Sequence, residues 1–248
     1  MTSDPNPIVA AFDAAAETYD SVTPVQREVA RALVFRTAAA IKKTPLNILD
    51  LGAGAGHVTG FALAQWPDAK IAALDAAPAM LRKLRAKYPN VETMTRDARD
   101  LRDLPRYDLI LSSMMLHWLD DPRAALTAWR GHLAPGGKLC VATPVAGSLS
   151  AWRQFLNASG MDDAIWDFPP ENFAAGLGAR LEFSDFSADY PDAGAFLRGL
   201  KQAGARTPRA GARPNRAGAL RRLLAASPGP FRIGFRIAFL TLGADQPE

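Results

Sequence analysis

Asn47-Ile48-Leu49-Asp50-Leu51-Gly52-Ala53-Gly54-Ala55-Gly56-His57 is the stretch from which the fold is read. An apolar run reaches an aspartate, glycine then falls on every second position, and helix-compatible residues follow from Val58 to Trp66. That order predicts a strand, a tight loop without side chains at three places, and the start of a helix. Glycines let backbone N–H groups approach a ligand closely, and a helix start favours a carboxylate or phosphate. The expectation is a small cofactor held on an α/β sheet.

Outward from this loop, strand-like and helix-like segments alternate from residue 46 to about 143. Strands are expected near 46–51, 70–75, 91–95, 107–112 and 137–143, with helices near 57–66, 77–88 and 121–133. Such alternation predicts parallel βαβ units with right-handed crossovers. Ahead of it lies a helical lead-in, Ile8 to Tyr19 and then Pro24 to Lys42, where Pro24 suits a first helical turn. After residue 143 the alternation stops. Residues 147–178 mix short helical stretches with Pro169-Pro170 and Gly176/Gly178 and read as an inserted cap. A strand (181–187), a helix (191–203), a loop rich in Gly, Pro and Arg (204–218) and an apolar strand (231–241) complete the chain. It is read as one domain, 1–248: an N-terminal helical lid (1–45), a cofactor-binding core (46–143), a cap insertion (144–179) and C-terminal strands with a basic segment (180–248).

Composition narrows the class. Of the 248 residues 48% are apolar, enough for a sizeable core. The first residues lack the basic and apolar regions of a secretory signal, and no 18-residue apolar run exists, so the expected location is cytoplasmic, away from the membrane. The lone Cys140 excludes an intramolecular disulfide and a cysteine-rich zinc site, and reads as core filler in a central strand. The three histidines are scattered, so no catalytic metal is expected. The net charge of +4 is unevenly placed: between Tyr190 and Arg236 ten Lys or Arg (Arg198, Lys201, Arg206, Arg209, Arg213, Arg216, Arg221, Arg222, Arg232, Arg236) face one acid, Asp192. This is either a solvated surface or a docking face for an acidic partner. No aromatic interleaving or nucleic-acid motif points to nucleic acid.

Spacing decides between cofactors. A dinucleotide fingerprint needs G-x-G-x-x-G, and here the third-glycine position is His57. The G-K-[ST] ending of a nucleotide-binding P-loop is also missing. Asp50-x-Gly52-x-Gly54-x-Gly56 instead resembles motif I of the class I S-adenosylmethionine-dependent methyltransferases. Asp75 ends the second strand 19 residues beyond Gly56, where an acid can accept from both ribose hydroxyls. Ala76-Ala77-Pro78-Ala79-Met80-Leu81 resembles that family's D-x-S-x-x-M-L helix start, Asp97-Ala98 its adenine-facing pair, and Leu133-Ala134-Pro135-Gly136-Gly137-Lys138-Leu139 its turn before strand five. The resemblance implies a Rossmann-like sheet of seven strands, the last antiparallel. It also implies S-adenosyl-L-methionine held by Asp50, Gly52, Ala53, Gly54, Gly56, Asp75, Ala76, Met80, Asp97, Ala98 and Ser112.

Segments outside the core narrow the resemblance. Phe12-Asp13-x-x-Ala16-x-x-Tyr19-Asp20 with Val25-Gln26-Arg27, then Met115-Leu116-His117-Trp118, Gly147-Ser148-Leu149 with Arg153-Gln154, and Leu200-Lys201-x-x-Gly204-Ala205 look like the malonyl-[acyl-carrier protein] O-methyltransferases of biotin synthesis. Departures are His117 in place of glutamine, Ala77 where a serine hydroxyl is usual, and the very basic 206–222 stretch. The resemblance implies methylation of a malonyl-thioester carboxylate, an early step in pimeloyl synthesis. Such a carboxylate is already ionised at neutral pH and needs no general base. Alignment can then lower the barrier by roughly 7–11 kcal/mol. Tyr19 and His117 are the candidates for closing over the methyl group, Arg153 for clamping the acceptor carboxylate, and the basic C-terminal face for docking the acidic malonyl-acyl-carrier protein. A monomer is expected. The alternatives are a methyltransferase of free small acids, of the trans-aconitate type, and a non-methylating assembly factor of the same fold.

Overall fold

The computed structural model describes residues 6–209, 211–213, 215 and 217–244. Arg216, counted above in the basic stretch, lies outside the described residues. Three helices precede the sheet: α1 (Pro7–Ala15), α2 (Tyr19–Val22) and α3 (Pro24–Ala40). The core then alternates as expected, through β1 (Asn47–Leu51), α4 (His57–Gln65), β2 (Lys70–Asp75), α5 (Pro78–Lys87), β3 (Glu92–Thr95), β4 (Tyr107–Ser113), α6 (Pro122–Arg130) and β5 (Leu133–Pro144). The remainder holds α7 (Ser150–Asn157), β6 (Arg180–Tyr190), α8 (Ala193–Gln202), α9 (Ala217–Ala226) and β7 (Phe231–Gly243).

Among the described residues seven strands form one sheet in the order β3-β2-β1-β4-β5-β7-β6. β7 is antiparallel to both of its neighbours and the other pairings are parallel. The order reverses between β1 and β4, and crevices at such switch points are where open α/β sheets bind ligands. Alternation along the strands builds two cores. Ile48, Leu109, Leu111, Cys140 and Ala142 face one side with α3, α4 and α7, where Trp152 and Phe196 are also buried. Leu49, Leu51, Ile110, Leu139 and Val141 face the other, around Leu126 and Trp129 of α6. Cys140 is buried in this packing. No helix among the described residues is long and apolar enough to cross a membrane.

Several boundaries differ from the expectation, α1 ending at Ala15 and β6 running on to Tyr190 among them, and two differences have a clear physical reason. Helix α6 stops at Arg130, and β5 starts at Leu133, four residues before the expected strand. The reason is a register irregularity: Tyr107 pairs with Leu133 but Leu109 pairs with Lys138, so the Pro135-Gly136-Gly137 segment bulges inside the strand pair. The second difference is α9, whose first residues fall inside the stretch expected to be loop. Leu220, Leu223 and Leu224 give it an apolar stripe at helical spacing, packed on the core.

The bulge leaves no room at Gly137, where a Cβ would sit 2.9 Å from the backbone oxygens of both Ala134 and Tyr107. Gly137→Ala is therefore expected to destabilise the fold by about 1–3 kcal/mol, as overpacking against backbone does. A denaturant titration checks this, and an unchanged midpoint would refute it.

Candidate active site

The glycine loop is tied to the end of β2 through backbone groups. The N–H groups of Gly52 and Ala53 both donate to the Leu74 carbonyl, at 2.8 and 3.0 Å. Gly54 N–H donates to Asp75 Oδ2 and Ala77 N–H to Asp75 Oδ1, both at 2.8 Å. Gly52 lies at φ +70, and a side chain there would collide with Met115. Gly56, at φ +90, caps the start of α4 without a side-chain hydrogen bond. The glycine pattern thus reflects left-handed backbone and close approach together.

Asp50 lies behind the loop. It is buried, its Oδ2 accepts from Thr59 Oγ1 at 2.6 Å, and its Oδ1 has no partner. Burial pushes its pKa up to about 7, against the opposing effect of the Thr59 hydrogen bonds. Burial also raises the pKa of Asp75, and the Ala77 and Gly54 N–H groups work against it.

Two cavities meet at this edge of the sheet. The first is walled by Gly52, Gly54, Asp75, Ala76, Met80, Asp97 and Ala98 from the core, and by Ile8, Val9, Phe12 and Tyr19 from the N-terminal helices. Asp97 is gripped by Arg99, whose Nε and Nη2 reach its two oxygens at 2.9 and 2.7 Å. That contact holds the Asp97 carboxyl below its ordinary range. Ala98 is fixed from behind, its carbonyl accepting from Trp129 Nε1 at 2.8 Å. Asp50, Ala53, Gly56 and Ser112 are not in this wall.

Ser112 shows how period-two alternation selects a side chain. Its hydroxyl turns inward and donates to the Leu51 carbonyl at 2.9 Å, tying β4 to β1. Its neighbour Ser113 faces the cavity, and the Ser113 hydroxyl is buried without a partner. Arg99 and Ser113 were both missed from sequence. The Ser112-Ser113 pair was visible, but choosing its ligand-facing member requires knowing which face of β4 looks outward.

The second cavity shares Phe12, Tyr19, Met114 and Trp118 with the first. Its further lining is largely apolar and aromatic, with Lys201 and Arg206 as its cations and Asp163 as its acid. His117 belongs to it: the ring is buried, its Nδ1 has no partner, and it lies 4.9 Å from the Trp118 ring and 5.6 Å from Phe168. Burial lowers its pKa to about 3, so the imidazole is neutral near pH 7. Burial, then the charges of Asp75 and Asp20, raise the Tyr19 phenol, which stays protonated. Both side chains are neutral hydrogen-bonding groups, Tyr19 at the junction and His117 in the second cavity.

Arg153 is placed differently. It is not in either wall. Its Nη2 donates to the Trp166 carbonyl at 2.8 Å, and its Nη1 reaches Asp163 at 3.4 and 3.5 Å. Asp163 also takes the Ile165 N–H at 2.9 Å and Arg209 at 3.3 Å. Sequence pattern alone could not show this, because Asp163 and Trp166 reach Arg153 only through the fold of the cap.

The basic stretch divides as well. Arg209, Arg232 and Arg236 are paired with Asp162 and Asp163, with Asp189, and with Glu171 and Asp185 respectively. Lys201, Arg206, Arg213, Arg221 and Arg222 are exposed.

Comparison with known proteins places the chain. Residues 48–137 match the Methyltransferase domain family. Over 209 residues the chain is 33% identical to the malonyl-[acyl-carrier protein] O-methyltransferase of Methylococcus capsulatus, covering 79% of this chain and 74% of that one. Over 220 residues it is 35% identical to the biotin biosynthesis bifunctional protein BioCD of Bordetella avium, covering 86% of this chain. The chain spans about half of that longer protein (47%). The YcgJ protein of Bacillus subtilis has the same fold, with a TM-score of 0.57 at 16% identity over 87% of this chain and 99% of that one. With the strand order and glycine loop already described, these matches mean that the chain belongs to the malonyl-[acyl-carrier protein] O-methyltransferase family, within the class I S-adenosylmethionine-dependent methyltransferases.

Proposed function

We propose that the chain methylates the free carboxylate of a malonyl group carried as a thioester on an acyl-carrier protein, an early step in biotin synthesis. The observation that carries this reading is the junction of two unlike cavities. One has a glycine loop and two carboxylates in its wall, the other is apolar with a cationic rim, and Phe12, Tyr19, Met114 and Trp118 belong to both.

The residues of the first cavity suit S-adenosylmethionine. Asp75 would take the ribose hydroxyls, Asp97 and the Ala98 amide the adenine edge, and the Gly52–Gly56 backbone the methionine end, with Ala76 and Met80 as wall. The unpartnered Ser113 hydroxyl is an additional polar contact in that wall. Asp50 and Ser112 support the loop and β4 from behind. When bound, S-adenosylmethionine supplies an electrophilic methyl group, which an ionised carboxylate accepts without a general base. The chain's contribution is then alignment and dryness. Phe12 stands edge-on to Trp118, with ring centroids 5.4 Å apart, and Trp118 edge-on to Trp166 at 5.8 Å, so aromatic faces exclude water from the junction. Tyr19 and His117, both neutral, would steer the acceptor by hydrogen bonds.

Arg153 remains the proposed carboxylate clamp, with one added condition. It must exchange its contact with Asp163, itself a carboxylate in the cavity wall. At 3.4 and 3.5 Å that contact is at the outer limit of hydrogen bonding, and on its loss Asp163 would keep Arg209 and the Ile165 N–H while Arg153 kept the Trp166 carbonyl. Lys201, Arg206, Arg213, Arg221 and Arg222 would dock the acidic carrier protein, whose pantetheine arm would run along the apolar cavity. The reading describes a cytoplasmic, monomeric enzyme.

Incubation with S-adenosylmethionine and malonyl-carrier protein should add one methyl group by mass, in preference to free small acids. Preference for a free tricarboxylate would defeat the reading. Asp75→Ala removes a charged acceptor and should weaken cofactor affinity about 10- to 100-fold by calorimetry; an unchanged Kd would remove Asp75 from the site. Reversal of Arg213, Arg221 and Arg222 to glutamate, all exposed and outside both cavity walls, should raise KM for the malonyl-carrier protein at least about tenfold while sparing malonyl-pantetheine, as loss of charge complementarity predicts. Equal effects on both acceptors would refute docking.

A further inference from the structure

The N-terminal segment is joined to α5 by ties one helical turn apart. Asp13 Oδ1 accepts the Ala79 N–H at 2.5 Å. Lys83 Nζ pairs with Glu17 at 2.8 Å, and Lys87 Nζ with Asp20 at 2.5 Å. Lys87 also donates to the Ala55 carbonyl at 2.8 Å, in the glycine loop. Positions 79, 83 and 87 share one face of α5, so the lid lies along that face. The middle tie contributes little, since the Glu17 side chain is 86% exposed.

The Asp13 tie is of another kind. Helix α5 begins at Pro78, and the residue at its cap position, Ala77, makes no side-chain hydrogen bond. The first N–H groups of a helix need outside acceptors, and a carboxylate there also faces the positive end of the helix dipole. The chain supplies that carboxylate from 66 residues away. The position left bare is the one where the family resemblance expected a serine.

The segment that Asp13 caps also carries the first cavity. Ala77 N–H holds Asp75 Oδ1 at 2.8 Å, and Ala76, Ala77 and Met80 are in the wall. Asp13 follows Phe12 and lies one turn beyond Val9, and both of those side chains line the same cavity. One carboxylate therefore connects the lid to the strand-to-helix turn that positions Asp75.

We propose that Asp13 is a positioning residue of the cofactor site: standing in for the missing cap at Ala77, it couples lid closure to the alignment of the Asp75–Met80 turn. This rests on the reading of the first cavity as the S-adenosylmethionine site. Removing Asp13 cuts the lid's tie nearest the cofactor cavity and uncaps α5. Ala77→Ser separates these effects, since a serine there caps α5 from within but cannot hold the lid.

The test compares wild type with Asp13→Ala, Asp13→Asn and the double variant Asp13→Ala/Ala77→Ser, with Asp75→Ala as reference. It measures calorimetric affinity for S-adenosylhomocysteine, thermal midpoint, and chymotryptic cleavage after Phe12 and Tyr19 in the presence of that ligand. Asp13→Ala should bind about tenfold more weakly, the loss of one cap's worth of free energy, and be cleaved faster. Asp13→Asn, which keeps an acceptor, should stay near wild type. The double variant should regain thermal midpoint without regaining affinity or protection. Wild-type affinity in Asp13→Ala overturns the proposal, as does recovery of both properties in the double variant, which would make Asp13 a helix cap and nothing more. Should Asp75→Ala bind like wild type, the placement of the cofactor fails, and the proposal fails with it.

Discussion

Leu74 and Asp75 end the second strand with three oxygens that receive four backbone N–H groups. The Leu74 carbonyl takes those of Gly52 and Ala53, and the two Asp75 carboxylate oxygens take those of Gly54 and Ala77. The Asp75 carbonyl accepts a further N–H from Arg96, just past β3. Two adjacent residues thus locate the glycine loop, the start of α5 and the exit of β3. A charged acceptor makes shorter and stronger hydrogen bonds than a neutral one, so Asp75 grips its neighbours firmly. It is also why the chain can keep a largely buried carboxylate there: the N–H groups oppose the cost of desolvation.

The acids at this edge have different characters. Asp97 is matched by Arg99 and has a lowered pKa. Asp50 is buried with one unpartnered oxygen, and its pKa is raised to about 7. Asp75 is raised by burial, and backbone N–H groups oppose that effect. Opposite stand neutral aromatic and imidazole groups, with the cations held at the rim or behind the cap. On the proposed reading, a positively charged cofactor would meet carboxylates on the glycine-loop side and an anionic acceptor would enter past the cationic rim, so that the division of charge would orient both.

How much of this could be read beforehand follows from the range of each interaction. The first four strands fell within about a residue of expectation, because apolar runs and glycine breaks are local signals. Parallel pairing among the first five strands followed from strand–helix alternation, and the antiparallel last strand from the family resemblance. The start of β5 was misplaced because a bulge depends on the partner strand, whose register no local pattern contains. Ser112 was chosen over Ser113 for the same reason: alternation is legible, but its phase is set by the sheet. Arg153 was legible as a cation after strand five, whereas its contacts with Asp163 and Trp166 arise from the folding of an irregular segment. Asp13 stood in a quoted motif, yet its partner, Ala79 N–H, belongs to backbone and carries no side-chain signature at all.

Phe12 and Tyr19 are walls of both cavities. Whatever ligand draws the N-terminal segment down over the first cavity also builds part of the second. Free energy supplied by one ligand for ordering that segment need not be supplied by the other, and the coupling is equal in both directions. If the second cavity takes the acceptor as proposed, it would have no single intrinsic affinity, and its grip would be set by what already occupies the neighbouring site.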